Sequence, residues 1–106
     1  MKLVVIESPY AAETGQGIFR NVVYARRCIR DSLDRGEAPY ASHILYPGAL
    51  RDSVPAERER ALAACHAWIA RADLVAVYTD KGISPGMELA IEVAEKTGIP
   101  VEKRRI

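Results

Sequence analysis

Two continuous apolar runs constrain the fold of this chain more than any other feature. Residues 3–6 read LVVI, and residues 73–78 read DLVAVY. Neither run alternates apolar with polar residues, as a strand with one solvated face does, so both predict strands that are buried on two faces. Strands of that kind lie in the middle of sheets that are covered on both sides. We therefore expect 3–6 and 73–78 to be central strands.

Three segments of helical periodicity accompany these strands. The first is expected over 18–34 with Gly36 after its end, and the second over 55–72 with a proline at its first position. The third begins with Ser84 as its N-cap and ends at Gly98. The apolar spacing predicts inward faces made of Ile18, Val22, Ala25, Ile29 and Leu33 in the first helix, and of Ala61, Ala64, Cys65, Trp68 and Ala72 in the second.

Two further strands complete the pattern. One is expected near 41–46, closed by Pro47 and Gly48, and the last is expected near 100–103. The order βαβαβαβ requires right-handed crossovers, which produce a parallel sheet with helices on both faces. We predict one α/β domain over residues 1–106, a flavodoxin-like three-layer sandwich whose four parallel strands have the order 2-1-3-4.

Charge and hydropathy argue against two classes of partner. Fifteen Lys and Arg residues against fourteen Asp and Glu residues give a net charge of +1, which is spread along the chain. That distribution argues against duplex nucleic acid as a partner. The apolar runs are too short to cross a bilayer, and no basic-then-apolar leader precedes them. We expect a cytoplasmic protein without a membrane partner.

Residue types that bind metals are few and scattered. Cys28 and Cys65 each fall inside a predicted helix without a CxxC neighbour, so we interpret them as buried small side chains. His43 falls in the predicted second strand and His66 in a helix, with no carboxylate or cysteine at ligand spacing. We expect no metal and no cofactor.

The strand order also predicts where a ligand binds. The chain reverses direction between strands 1 and 3, and ligands of open α/β sheets bind at the carboxyl ends of the strands beside that reversal. After strand 1, Ser8, Pro9 and Tyr10 could supply a hydroxyl, a rigid corner and a stacking ring, or form an ordinary turn with a packed tyrosine. Asn21 is a poor helix former inside the predicted first helix. Its polar role is either in the site or in tying down a loop.

The turn from Asp80 to Met87 is the most informative stretch. Ser84 can cap the third helix, and Gly86 leaves room beside the amides of the first turn. Free N–H groups and the helix dipole favour an anion such as a phosphate there. The alternative is that Ser-Pro-Gly only starts a helix. If the turn does bind a ligand, the contacts are expected from Asp80, Gly82, Ile83, Ser84, Gly86 and Met87.

The chain resembles a small phage and bacterial family that is itself similar to the nucleoside 2-deoxyribosyltransferases and the deoxynucleotide N-hydrolases. The resemblance is carried by Ser8-Pro9-Tyr10, by Asn21 and by two longer segments, GEAPYASHILYPGALRDSVPAERERAL and VYTDKGISPGMELAIEVAEKTGIPVEKR. It covers nearly the whole chain for the small family and only the first and third loops for the enzymes. It implies a flavodoxin-like domain whose pocket accepts a nucleoside, a nucleotide or an ADP-ribose derivative.

The same resemblance implies that one catalytic group is missing. In those enzymes a glutamate four residues after the helix-opening glycine attacks or stabilises the anomeric carbon of the sugar. Counting from Gly86, that position holds Ala90. Helical spacing puts Met87 and Ala90 on one face and leaves Glu88 and Glu92 outside it. The anion-binding end of the site is therefore kept while its nucleophile is absent.

We expect a protein that binds a nucleotide or nucleoside-type molecule without cleaving it, such as an ADP-ribose-derived or cyclic nucleotide signal that a phage-type protein sequesters. One alternative is a deoxyribosyltransferase or N-glycosidase in which Glu88 or a partner-subunit residue takes the missing role. Another is an oligomeric structural or regulatory module with a vestigial pocket. We also expect a homodimer or larger assembly, with Tyr40, His43 and Tyr46 at its interface or at the pocket rim.

Overall fold

The structure, a computed structural model, describes residues 1–106 and contains a single four-stranded sheet. The elements in chain order are β1 Leu3–Glu7, α1 Gly15–Asp34, β2 Ala38–Tyr40, α2 Ser42–Leu45, α3 Pro55–Ile69, β3 Leu74–Tyr78, α4 Pro85–Thr97 and β4 Val101–Arg104. The strands are all parallel and lie in the order β2-β1-β3-β4. The predicted flavodoxin-like α/β sandwich is confirmed. None of the helices combines the length and apolarity that a membrane-spanning segment requires.

The two apolar runs form the central strands, as their composition predicts. All five residues of β3 and the last four of β1 are buried. The two strands pair in parallel, with Val5 opposite Val75 and Glu7 opposite Val77. Because the strands run in the same direction and in this register, their carboxyl ends lie side by side. The loops that follow them therefore meet at the carboxyl end of the sheet.

Each face of the sheet carries its own core. On one face α1 packs against alternate residues of β1 and β3; this cluster contains Val4, Ile6, Tyr24, Cys28, Ala41, Leu74, Ala76 and Tyr78. On the other face α3 and α4 pack against the remaining residues of those strands; this cluster contains Val5, Cys65, Ile69, Val75, Val77, Met87, Ala90 and Ala94. The sheet is thus covered on both sides, which is why its central strands read as unbroken apolar runs.

The inward face of α1 differs from the prediction. Its buried residues are Asn21, Tyr24, Ala25, Cys28 and Ser32, so Ala25 alone of the predicted face is fully buried. Tyr24 donates a hydrogen bond to Asp80 at 2.6 Å, and Ser32 donates to Glu37 at 2.7 Å. These polar residues can be buried because each has a partner. The apolar spacing left the polar residues out of the predicted face because it takes no account of hydrogen-bond partners.

The second strand was predicted in the wrong place. The structure puts β2 at 38–40, and most of the predicted strand 41–46 is the short helix α2. Pro39 lies within β2, where its missing N–H is tolerated because β2 is an edge strand. The residues of 42–45 form one helical turn instead of an extended strand. His43 therefore lies on a helix and not in a strand.

The orientation of α3 also differs from the prediction at one aromatic residue. Trp68 was expected to face inward, yet the residue is 51% exposed, whereas Cys65 and Ile69 are buried. The indole lies over the ring of Tyr40, with the ring centroids 4.8 Å apart. Trp68 therefore covers the edge strand β2 and leaves a half-exposed aromatic surface there.

A buried ion pair joins the end of β4 to the segment before β2. Arg104 Nη2 lies 2.7 Å from Glu37 Oε2, and the two side chains are 2% and 11% exposed. A second hydrogen bond joins Arg104 Nη1 to Glu37 Oε1 at 2.8 Å, and Ser32 donates to the same carboxylate. The hydrogen bonds from Arg104 lower the pKa of Glu37. Both charges are thus fully compensated where they are buried.

Breaking this pair should strongly destabilise the fold. In Arg104→Met the carboxylate of Glu37 loses its cation inside the protein, and the expected loss of unfolding free energy is about 3 kcal/mol or more. The matched control is Arg30→Met, which removes the exposed Arg30–Asp34 pair of α1 and should cost about 0.5 kcal/mol or less. Urea unfolding curves measure both. Equal effects of the two substitutions would contradict a structural role for the buried pair.

Candidate functional site

A cavity of about 340 Å³ opens at the carboxyl end of the sheet, where β1 ends. Its floor is the end of β1, and its walls come from α2, from α3 and from the first turns of α4. The strand order predicted a ligand site at this end of the sheet. The volume lies within the range of small-molecule pockets.

The cavity brings together part of the predicted site and leaves part outside. Lining it are the predicted contacts Ser8, Tyr10, Ser84, Gly86 and Met87, together with His43 and Tyr46 from the predicted rim. Not among its lining residues are Pro9, Asn21, Tyr40, Asp80, Gly82 and Ile83. The division follows the chain: the start of α4 faces the cavity, whereas the turn between β3 and Ser84 lies behind it.

The N-terminus of α4 presents two hydrogen-bond donors to the cavity. The Ser84 hydroxyl accepts a hydrogen bond from the Met87 N–H at 3.3 Å, so its own proton remains available to a ligand. The N–H of Gly86 has no partner within the chain. A Cβ built at Gly86 would meet nothing within 4 Å. A ligand can therefore approach this helix end closely.

Asn21 has the second of its two predicted roles, because it ties down a loop. Its Nδ2 donates to the carbonyl of Tyr10 at 2.9 Å, and its Oδ1 accepts from Lys81 Nζ at 3.4 Å. These contacts join the loop after β1 to the loop after β3. Asn21 thus fixes the position of Tyr10, which does line the cavity.

Asp80 also acts behind the cavity wall. Its carboxylate accepts a hydrogen bond from the hydroxyl of Tyr24 at 2.6 Å and from the backbone N–H of Ile106 at 3.1 Å. The hydrogen bond from Tyr24 is the main cause that lowers the pKa of Asp80. The predicted contact residue is therefore already committed to partners within the chain.

Ser8 and His43 form a close polar pair in the cavity wall. Ser8 Oγ and His43 Nε2 are 2.6 Å apart, and burial lowers the pKa of His43 to about 4. The imidazole is therefore neutral at pH 7, and one of the two groups donates a hydrogen bond to the other according to the tautomer of the ring. Such a pair can hydrogen-bond a ligand hydroxyl or amide without adding charge to the cavity.

Glu7 is the site residue that sequence reasoning missed. It is the last residue of β1, it is 7% exposed, and it lines the cavity. Its one hydrogen-bond partner in the chain is the thiol of Cys65, whose Sγ lies 3.7 Å from Oε2. Burial raises the pKa of Glu7 to about 8, so the carboxyl is mostly protonated at pH 7. The available signal was a charged residue ending an otherwise apolar central strand.

Ala90 lines the same cavity as Glu7, and Glu88 does not. Ala90 is buried against the sheet, whereas Glu88, in the first turn of α4, is exposed. The carboxyl that the resemblance places on α4 is thus absent from the cavity wall. A different carboxyl, that of Glu7, enters the cavity from the sheet.

Besides Glu7 and two histidines, the charged side chains that line the cavity are Asp52, Glu57 and Arg58. Arg58 Nη1 lies 3.2 Å from Asp52 Oδ2, and Glu57 accepts a hydrogen bond from the N–H of Arg51. No group of three or more His, Cys, Asp or Glu side chains is arranged to hold a metal ion. Glu7 and His43 are mostly uncharged at pH 7 and Arg58 offsets Asp52, so hydrogen bonds can carry much of the recognition of a ligand.

The variant Glu7→Gln should be more stable than the wild type at neutral pH, and the difference in unfolding free energy should grow as pH rises from about 4. The folded-state pKa is raised from 4.5 to about 8, so the wild type is most stable relative to the variant below pH 4.5 and loses stability as pH rises through 8. Glutamine keeps the shape without titrating. The expected gain is about 3 kcal/mol at pH 7 and near zero at about pH 4. Thermal or urea unfolding over this range measures it.

The control for that experiment is Glu92→Gln, on the exposed side of α4. This variant should keep the wild-type dependence of stability on pH, because the Glu92 side chain is exposed and Glu7 is left in place. A pH-independent difference between Glu7→Gln and the wild type would show that Glu7 is ionised in the folded protein.

Comparison with known proteins places the chain in one family. No curated protein matches it. The model of a family described as "Domain of unknown function (DUF7768)" matches residues 2–104. That match spans the whole sheet, every helix and all residues that line the cavity. The chain therefore belongs to the DUF7768 family.

Proposed function

We propose that this protein binds a nucleoside or nucleotide-type small molecule in the cavity and does not cleave it. The observation that carries the proposal is the composition of one cavity. The cavity is lined by hydrogen-bond donors at the start of α4 and by the largely uncharged polar groups of Glu7, Ser8 and His43. A ligand with an anionic end and a neutral polar end fits those two sets of groups.

The start of α4 is the proposed phosphate-binding end. The Ser84 hydroxyl and the Gly86 N–H are free to donate, and the helix dipole adds a partial positive charge at the same point. α4 extends over thirteen residues, which is long enough for that dipole to develop. Arg58 is the one Lys or Arg residue that lines the cavity, and it is already paired with Asp52. We therefore favour a ligand with few phosphates.

Other residues that line the cavity suit a ribose and a base. Tyr10 and Tyr46 line it with aromatic rings, and rings of this kind stack on nucleobases. The Ser8–His43 pair offers both a donor and an acceptor to a sugar hydroxyl. Neither group brings a charge that would oppose a phosphate at the other end.

Binding without cleavage is favoured by the carboxyl groups of the site. A glycosidic nucleophile must be ionised, and Glu7 is mostly protonated at pH 7. Glu88, the alternative acid, is exposed and does not line the cavity. A pocket that holds a cytoplasmic nucleotide signal without consuming it would serve sequestration, as in a phage protein that counters a host immune signal.

The phosphate end is tested with variants of the α4 start. Ser84→Ala should weaken binding of adenosine monophosphate about tenfold to a hundredfold, because a hydrogen bond to a charged group is lost. Gly86→Val should weaken it as well, because the new side chain enters the space beside the Gly86 amide. Both should affect adenosine less than its monophosphate. Isothermal calorimetry measures the affinities.

The matched control is Thr14→Ala. Thr14 caps α1 as Ser84 caps α4, accepting a hydrogen bond from the N–H of Gly17 at 3.0 Å, but it does not line the cavity. Both alanine variants should lose about 1 kcal/mol of stability, and only Ser84→Ala should lose affinity. Unchanged affinity in both would leave Ser84 as a cap alone. Free base released from the nucleotide by the wild type would contradict binding without cleavage.

We also propose that two copies of the chain associate through the aromatic surface on the β2 edge. Of the residues predicted for an interface, His43 and Tyr46 line the cavity, whereas Tyr40 lies beneath the half-exposed Trp68. Leu3 is 52% exposed on the neighbouring strand. An apolar surface at a sheet edge is a common site of association.

Replacing Trp68 with glutamate should therefore convert the dimer to a monomer. The control is Phe19→Glu, since Phe19 is a comparably exposed aromatic residue on α1. Light scattering on the folded proteins should give the dimer mass for the wild type and for Phe19→Glu, and the monomer mass for Trp68→Glu. A monomeric wild type at micromolar concentration would contradict the association.

A further inference from the structure

Glu7 occupies a core position of the sheet. It follows Val5 on the side of β1 that faces α3 and α4, and it pairs in register with Val77 of β3. Every other strand residue in that row is apolar. A carboxyl group at such a position loses its hydration and must gain a compensating contact, or the protein pays in stability.

The chain does not provide that contact. Cys65 Sγ lies 3.7 Å from Glu7 Oε2, and a thiol is a weak donor. No buried side-chain oxygen in the structure lacks a partner, so the other oxygen of Glu7, which has none, is open to the cavity. Glu37 shows the contrast, since Arg104 and Ser32 together satisfy both of its oxygens. The carboxyl of Glu7 is left for something that enters the cavity.

The protonation of Glu7 defines what could enter. A protonated carboxyl offers one O–H donor beside one carbonyl acceptor, whereas a carboxylate offers acceptors only. The complementary partner carries an acceptor next to a donor. Adenine does so with a ring nitrogen beside its exocyclic amino group, the same edge that Asn and Gln amides read in nucleic acids.

We propose that Glu7 recognises the base of the bound molecule: the O–H on its unpartnered, cavity-facing oxygen donates to a ring nitrogen of an adenine-type base, and its other oxygen, which has only the weak contact with the Cys65 thiol, accepts from the adjacent amino group. The inference rests on the proposed function and names the ligand class for the same cavity. In this arrangement Glu7 recognises the base while the start of α4 holds the phosphate. Nucleosides and nucleotides of adenine, or of cytosine, which also carries a ring nitrogen beside an amino group, are then the expected ligands, and adenosine is the probe of this class.

Ionisation of Glu7 should weaken this recognition, because the ring nitrogen would then face a second acceptor. His43 and Cys65, which also line the cavity, keep their charge between about pH 6.5 and about pH 9. Burial lowers the pKa of His43 to about 4, lowers that of His66, and raises that of Cys65 to about 12. The α4 and β3 residues packed against it are apolar. The remaining polar and charged groups of the cavity are Tyr10, Tyr46, Asp52, Glu57 and Arg58.

The experiment measures adenosine affinity by calorimetry at about pH 6.5 and about pH 9, where an uncharged ligand keeps its own charge constant. With a pKa of about 8, Glu7 is almost wholly protonated at the lower pH, and about a tenth remains protonated at the higher. The wild type should therefore bind adenosine about tenfold more weakly at the higher pH. Glu7→Gln should bind with similar affinity at both, because its amide presents the same donor and acceptor.

Two controls separate this inference from the proposed function. Glu88→Gln, on the exposed side of α4, should keep the wild-type pH dependence. Purine riboside, which lacks the amino group, should bind the wild type about three- to tenfold more weakly than adenosine at the lower pH. This ligand comparison needs no variant, so it remains decisive if Glu7→Gln fails to fold.

The outcomes distinguish two failures. Adenosine binding that is equal at both pH values, or equal to that of purine riboside, overturns the role of Glu7 and leaves nucleoside binding intact. A pH dependence that persists in Glu7→Gln does the same. Binding of neither adenosine nor its monophosphate at any pH overturns the proposed function, and the role of Glu7 with it.

Discussion

The parallel pairing of β1 with β3 is the constraint on which the rest of this structure depends. Because Glu7 lies opposite Val77, the carboxyl ends of both strands lie side by side. The chain segments that follow them diverge to opposite faces of the sheet. The space between those segments becomes the cavity. α3 and α4 then close it from the side on which Val5, Val75 and Val77 form the core. The position of the site is thus a consequence of strand order.

Polar ties behind the cavity hold its walls in place. Asn21 joins the loops that follow β1 and β3, and the hydroxyl of Tyr24 holds Asp80. None of these side chains lines the cavity. Walls that are already fixed reduce the entropy that a ligand must overcome on binding. Residues that look like ligand contacts in the sequence therefore contribute by ordering the residues that do line the cavity.

Two buried glutamates show how differently this fold treats the same side chain. Glu37 is ionised and is satisfied by Arg104, so it joins β4 to the segment before β2. Glu7 has a thiol as its one partner, so burial keeps it protonated. The first arrangement supports the fold. The second costs stability at neutral pH and places a hydrogen-bonding group in a cavity, a trade-off that is common at functional sites.

Local patterns in the sequence determined the central strands, the start of α4 at Ser84 and the strand order. Continuous apolar runs, a capping serine with a proline and right-handed crossovers each act within a few residues or follow a general rule. The position of β2 was mispredicted, because a short edge strand carries little pattern of its own and α2 mimicked one.

Only the tertiary structure decided the chemistry inside the cavity. The meaning of Glu7 depends on Cys65, 58 residues away in sequence, and that of Ser8 depends on His43. Asn21 and Asp80 became loop ties for the same reason. Burial and hydrogen-bond partners set the charge of a side chain, and both depend on residues that are close only in the folded chain.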